Sequence, residues 1–255
     1  MHAVQHDNTN HSNVVVFDFD GTLMEGDAGK ELLKALYVGN HLSHYLRIIF
    51  AMLILFLSLP WIIVHRKFIF TRVGTLLLWS GTFGLSQKEF LKTVQKVAAS
   101  ICRRNESGIL EGVNFSLPAT AYSEGFNVLS HAVKSGMCVV IITGSPTILV
   151  RKILKYAAPE IAAQVKIIGS RLSFGMGGVY TQEHCFRENK LHMANKAGVA
   201  VGPWKACYTD NVTDIPLLKN SDLKYLINAS PKFIAQMKRA GIENFESLNW
   251  SNSGI

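Results

Sequence analysis

Five short apolar runs punctuate the chain: VVVFDF from Val14, MCVVIIT from Met137, VKIIGS from Val165, KACYTD from Lys205 and LKYLIN from Leu223. Each is nearly continuous in hydrophobicity rather than alternating, the pattern of parallel strands buried on both faces. Stretches of helical spacing separate most of them, among them SEGFNVLSHAVKSG and SPTILVRKILKYA, which stop at Gly136 and shortly before Pro159. That alternation predicts an α/β fold with a doubly wound parallel sheet. The glycine-rich piece RLSFGMGGVYTQEHC predicts a β-hairpin inserted late in the sheet.

The interval from about 28 to 115 holds no comparable strand. KELLKALYVGNHLSHYL, TRVGTLLLWSGTF and SQKEFLKTVQKVAASICRRN read as helices, the last opening at a Ser86 N-cap. The predicted organisation is therefore a core from residues 12–27 and 116–250, with an all-helical cap, 28–115, inserted between the first two core strands. Within the cap, YLRIIFAMLILFLSLPWIIV at 45–64 carries one charge, Arg47, over nearly the length that spans a bilayer as a helix.

At 255 residues with 17% charged positions, the chain is long enough for a real core and is not disordered. The polar start MHAVQHDNTNHSN lacks the basic-then-apolar order of an export signal, so the catalytic part is expected in the cytoplasm. Four scattered cysteines, without a C-x-x-C, suit neither a disulfide framework nor a zinc site. Of the net charge of +8, the stretch from Lys30 to Glu111 supplies +7, eleven cations against four acids. A basic segment containing an oily run suits an anionic membrane surface. Nucleic acid is set aside, because no basic and aromatic interleaving or binding module is present.

Candidate chemistry gathers where the predicted strands end. Asp18 and Asp20 close the first strand, with turn-forming Gly21 behind them. Ligand sites of open α/β sheets lie at such carboxyl ends, and residues two apart on a strand share a face. Two close carboxylates repel, a conflict that a hard cation such as Mg2+ removes. The second strand ends in ITGSP, where the Thr143 hydroxyl with Gly144 and Ser145 at a helix start suits a phosphate. Lys190, near the beginning of another helix, suits a phosphate oxygen as a point charge. Asp210 and Asp214, in YTDNVTD, would complete the metal's carboxylate shell.

Taken singly, these residues have ordinary readings as turn caps, helix-start acids or a solvated lysine. Together they converge on one edge of one sheet.

The set DFDGTL, ITGSP, ENK and TDNVTD resembles the four motifs of the haloacid dehalogenase-like phosphohydrolases, over roughly residues 14–26 and 115–230. The inserted helical cap is similar to that of the phosphoserine phosphatase-like subfamily. The resemblance implies a Rossmann-like core and a Mg2+-dependent phosphatase. In it Asp18 is the nucleophile that forms an aspartyl-phosphate, and Asp20 is the general acid and then base. Thr143 and Lys190 bind the phosphoryl group, with Gly144 and Ser145 beside them. Asp18, the Asp20 carbonyl and Asp210 hold the metal, and Asp214 ligates it or orients its waters. One departure is Thr209, where the family often has glycine, which raises the expectation of a crowded metal shell.

Catalytic residues lie on both sides of the oily run, so a single crossing would split the active site between two compartments. The run is therefore expected to cross an even number of times or to lie in the interface, kinked at Pro60. With TLLLWSGTFGLSQKEF and SLPWIIVHRK, the cap resembles a family of bacterial phosphatidylglycerophosphatases. That implies hydrolysis of an anionic phospholipid, phosphatidylglycerophosphate, on the cytoplasmic face of the bacterial inner membrane. The competing readings are a phosphatase of a small soluble, phosphoserine-like monoester, and a membrane adaptor that binds phosphorylated ligands without turning them over. Oligomeric state is not fixed by the sequence.

Overall fold

The computed structural model describes residues 13–38, 45–47, 49–50, 52–54, 56–57, 60, 69–102, 105–110, 113–118, 120–199 and 202–251. A seven-stranded sheet runs in the order β6-β5-β4-β1-β7-β8-β9, built from Val14–Phe17 (β1), Cys138–Pro146 (β4), Lys166–Gly175 (β5), Gly178–Glu183 (β6), Trp204–Thr209 (β7), Ser221–Ile227 (β8) and Glu246–Leu248 (β9). Every pairing is parallel except β5 with β6. The five predicted runs are thus five adjacent parallel strands. The predicted hairpin is the β5–β6 edge, with β5 continuing unbroken from the third run.

Strand β1 shows why its sequence is apolar throughout. Val15 and Phe17 face a core layer formed with helices α1 (Ala28–Tyr37), α3 (Gln87–Cys102), α4 (Ser123–Lys134) and α5 (Thr147–Ala157). Val14 and Val16 face the opposite layer, with α7 (Glu188–Lys196), α8 (Ile215–Lys219) and α9 (Pro231–Arg239). Alternate residues of a strand point to opposite faces, so a strand covered on both sides has no polar position.

In the inserted region, α2 spans Ile69–Thr82. Helix α3 opens as the Ser86 cap predicts: Ser86 Oγ accepts from Glu89 N at 3.3 Å, and Ser86 N donates to Glu89 Oε2 at 2.8 Å, a reciprocal capping box. The same helix packs on α5 of the core, so insert and core share one apolar layer.

Two expectations need correction. The insertion is not all-helical: Asn105–Leu110 (β2) and Val113–Pro118 (β3) form a two-stranded antiparallel sheet. The alternation of Val113, Phe115 and Leu117 with polar neighbours is a period-two signal, overlooked because the segment follows three helices. The helix expected from Gly144 begins only at Thr147; Pro146 is its N-cap, β4 runs on to that proline through a register shift after Ile142, and a short α6, Pro159–Ala162, follows the helix.

Part of the oily run is helical at 45–47, 49–50, 52–54 and 56–57, while its remainder around Trp61–Val64 lies outside the described residues. Among the described residues no helix is long and apolar enough to cross a membrane.

Candidate active site

The carboxyl ends of β1, β4 and β7, three neighbouring strands, place the chemistry. Asp18 follows β1 directly, its N–H donating to Tyr208 O at 2.9 Å, and its buried carboxylate accepts from Lys190 Nζ at 3.0 Å. The lysine, in the first turn of α7, is 3% exposed and also donates to Asp214 Oδ2 at 2.8 Å. Burial alone would lower the Lys190 pKa, but the carboxylates of Asp18 and Asp214 more than reverse this and hold it well above its ordinary value. The ammonium is therefore a fixed charge and not a base.

Asp20 is placed by two donors on different elements. Its Oδ1 accepts from Ala28 N at 2.7 Å, at the start of α1, and its Oδ2 accepts from the Thr143 hydroxyl at 3.0 Å. Burial raises its pKa against these bonds, favouring a carboxyl that can donate a proton. Thr143, expected to face phosphate, is fully buried here and also accepts from Ser145 N at 3.0 Å. Ser145 Oγ in turn accepts from Gly29 N at 3.0 Å, and Gly144 O accepts from Ser170. Gly144 and Ser145 still line the pocket beside Asp18, Asp20 and Lys190.

Asp210 stands just past β7, and Thr22 of DFDGT holds it twice. The Thr22 hydroxyl donates to Asp210 Oδ1 at 3.2 Å and accepts from Asp210 N at 3.0 Å. Gly21, at φ 76°, lies beneath this carboxylate, and a Cβ there would fall 2.1 Å from Asp210 Oδ2. Both the backbone conformation and the close approach demand glycine. Burial lifts the Asp210 pKa to about 6.

Asp214 is fully buried, and Thr209 Oγ1 donates to its Oδ2 at 2.8 Å. The threonine that replaces the family's glycine therefore points to Asp214 and steadies it. The other oxygen, Oδ1, is 2.8 Å from Lys190 Nζ yet outside hydrogen-bonding geometry, and has no other partner.

The donor set fits Mg2+. Asp18, Asp20, Asp210 and Asp214 meet at one edge with Lys190 as their one lysine partner, and burial first raises the pKa values of Asp18, Asp20 and Asp210, so a cation placed among them would favour their charged forms. Among the described residues no three His, Cys, Asp or Glu side chains are grouped to hold a metal by themselves. Mg2+ does not need that: it binds through one or two carboxylates and keeps several waters. Asp18 and Asp210 would supply the carboxylates and Asp20 its carbonyl.

A cavity of about 380 Å³ opens over these groups, walled on the insert side by Asp27, Lys30, Thr75 and Leu78 and on the core side by His184 and Phe186. Sequence reasoning passed over His184 because nothing marks it in the exit from the hairpin. Its Nδ1 is buried without a partner, and burial, then the Lys190 charge, lowers its pKa, keeping the ring neutral.

A model of the haloacid dehalogenase-like hydrolases matches residues 15–219, which includes every residue of this site. The chain belongs to that family. No curated protein sequence matches the hydrolase. Among solved structures it is similar to a protein of unknown function from Bordetella pertussis Tohama I, with TM-score 0.62 and 16% identity over 92% of this chain and 97% of that one. A substrate-bound phosphoserine phosphatase complex gives TM-score 0.51 and 15% identity over 93% of each chain. A probable phosphoserine phosphatase from Vibrio cholerae gives 0.55 and 14% over 94% of this hydrolase and 61% of that protein. At such identities the likeness is one of fold alone.

Proposed function

We propose that the protein is a Mg2+-dependent phosphomonoester hydrolase that works through an aspartyl-phosphate on Asp18. The observation that carries this reading is Lys190, buried between Asp18 and Asp214 at the end of β1, with Asp20 anchored separately on Ala28 N and Thr143.

An Asp18 oxygen attacks phosphorus, the bond from phosphorus to the ester oxygen breaks, and the protonated Asp20 carboxyl gives its proton to the departing alkoxide. Asp20, now a carboxylate, takes a proton from water as that water attacks the aspartyl-phosphate; the bond from phosphorus to Asp18 breaks and phosphate is released. One positioned acid thus serves both displacements. Lys190 offsets charge on the phosphoryl oxygens, and preorganised electrostatics of this kind is commonly the largest catalytic contribution. Bound Mg2+ would add Lewis-acid stabilisation of the same oxygens.

For the substrate, the likeness to phosphoserine phosphatases favours a small soluble phosphomonoester. A second reading, a lipid phosphomonoester such as phosphatidylglycerophosphate, is favoured by one feature, the exposed apolar side chains described between Tyr45 and Leu57 within the insert. The test is Mg2+-dependent phosphate release from phosphoserine in solution and from phosphatidylglycerophosphate in mixed micelles, with Asp18→Asn as control. Release from phosphoserine at equal or higher kcat/KM supports the small-substrate reading, and strong preference for the micelles supports the lipid reading. No release above the Asp18→Asn control from a panel of phosphomonoesters would overturn the proposed hydrolase chemistry.

A further inference from the structure

The helical stretch at 45–57 turns Tyr45, Leu46, Ile49, Met52, Leu53, Phe56 and Leu57 to solvent, each at least half exposed. At 100° per residue these positions fall within an arc of roughly 140°. Phe50, about 20° beyond one edge of that arc, sets its ring 5.6 Å from Trp79 and 5.4 Å from Phe83. The stretch is therefore packed along one edge of its apolar arc and bare across the arc itself, which holds no charge among its described residues.

The packed edge leads onto the core. Trp79 Nε1 donates to Met176 O at the tip of the β5–β6 hairpin, and Gly177 sits against the half-exposed Phe83 ring. Met176 is 84% exposed, and Phe174, two residues back along β5, is partly exposed as well. Phe174 stacks edge-on with Phe90 and forms the lip of a groove of about 810 Å³ between α5 and α7. The groove is basic: Arg151, Lys152, Lys155, Arg171 and Lys196 line it against one acid, Glu183. Glu183 lies 3.5 Å from both Arg171 and Lys196, leaving the three cations of α5 without a carboxylate among the described residues. Ser170 and Leu172 line both this groove and the catalytic cavity, so the two openings share a wall.

We propose that the apolar arc, the hairpin tip and the basic groove together dock on an anionic lipid bilayer. The face at 45–57 and the hairpin tip enter the outer apolar layer, and the groove receives phosphate-bearing headgroups. Charge complementarity selects the occupant: exposed apolar side chains together with a groove lined by cations match the acyl boundary and the anionic headgroups of one leaflet. The proposal stands apart from which phosphomonoester is hydrolysed, and its readout is binding.

The experiment is cosedimentation of the full chain with vesicles of phosphatidylcholine alone or mixed with phosphatidylglycerol. Two variants, Met52→Glu with Phe56→Glu and Lys152→Glu with Lys155→Glu, are compared with the parent, and circular dichroism and thermal melting confirm that each is folded. The expected result is partitioning at least about tenfold stronger on the anionic vesicles, weakened by salt, and reduced at least about tenfold in either variant. Equal partitioning on both vesicle types, or partitioning indifferent to both variants, overturns it. So does a protein that ignores vesicles and instead forms a dimer, by sedimentation velocity, that Met52→Glu with Phe56→Glu dissolves, because the face would then belong to a second copy. Loss of phosphatase activity in any sample leaves the vesicle result unaffected.

Discussion

Strand β1 and the helical stretch at 45–57 are both strongly apolar, and they treat water in opposite ways. Val14, Val16 and Phe17 are fully buried, whereas Met52 and Phe56 are 67% and 69% exposed. The strand lies between two layers of helices that bury both of its faces, and the carboxylates that follow it are held rigidly at its end. The helical stretch lies outside those layers, with only one edge of its apolar arc packed. Hydrophobicity in a sequence states that a segment leaves water; the surrounding topology decides whether it enters a core or another phase.

The contrast is broken most severely at the end of β1. Asp18→Asn is expected to lower turnover by on the order of 10⁴- to 10⁶-fold, the scale for removing a nucleophile, while the fold persists. Steady-state phosphate release and a thermal melt check both halves, and near-normal turnover would refute the nucleophile assignment. Next comes Lys190→Met, which leaves Asp18 and Asp214 buried without their shared cation. A loss of about 3–5 kcal/mol in Mg2+-free urea unfolding is expected. Acidification should relieve part of it as the Asp18 carboxyl, raised chiefly by burial, takes a proton, whereas a pH-independent loss would point to packing.

These two predictions rest on residues that the sequence already offered, and the reason is physical. Buried parallel strands need continuous apolar runs, and catalytic carboxylates follow those runs, so Asp18, Asp20, Asp210 and Asp214 stand out against their neighbours. Their supporting contacts were not legible. Thr22 holds Asp210 across a separation of 188 residues, and Thr209 holds Asp214 from within β7. A threonine in a motif gives no sign of which way its hydroxyl turns; Thr143 serves Asp20 for the same reason. Strand β9, Glu246–Leu248, was missed because three residues on a sheet edge carry no periodicity, and β2–β3 because a short alternating piece was read as the tail of a helical segment.

A smaller effect follows from the charge on the catalytic edge. The Asp210 carboxyl rises from an ordinary 3.8 to about 6 in the folded protein because it is buried. The folded state therefore binds this proton more tightly than the unfolded chain, so its contribution favours folding below pH 4 and is lost as pH rises through 6. Metal-free protein is expected to lose about 2–3 kcal/mol of stability from this group between pH 4 and pH 7. Mg2+ at a hundred times its Kd should return about 2.7 kcal/mol at pH 7. Thermal melts at both pH values with EDTA or Mg2+ measure it, and a metal-free stability that climbs steadily over this range would remove Asp210 from the argument.

The smallest expected effect tests the other region. Met52→Ser and Phe56→Ser should each change unfolding free energy by no more than about 0.5 kcal/mol, as exposed substitutions do. Val16→Ser, in the middle of β1, should cost several times more, because it leaves a buried hydroxyl and a small cavity between two packed layers. Urea unfolding of the detergent-free protein, run at several protein concentrations, compares the three. If Phe56→Ser cost as much as Val16→Ser at every concentration, the helix face would be covered within its own chain, and the contrast between the two apolar segments would be lost. If the cost grew with protein concentration, a second copy would be the cover. A cost near zero throughout would leave the face free, with seven large apolar side chains in water that only an outside partner can bury.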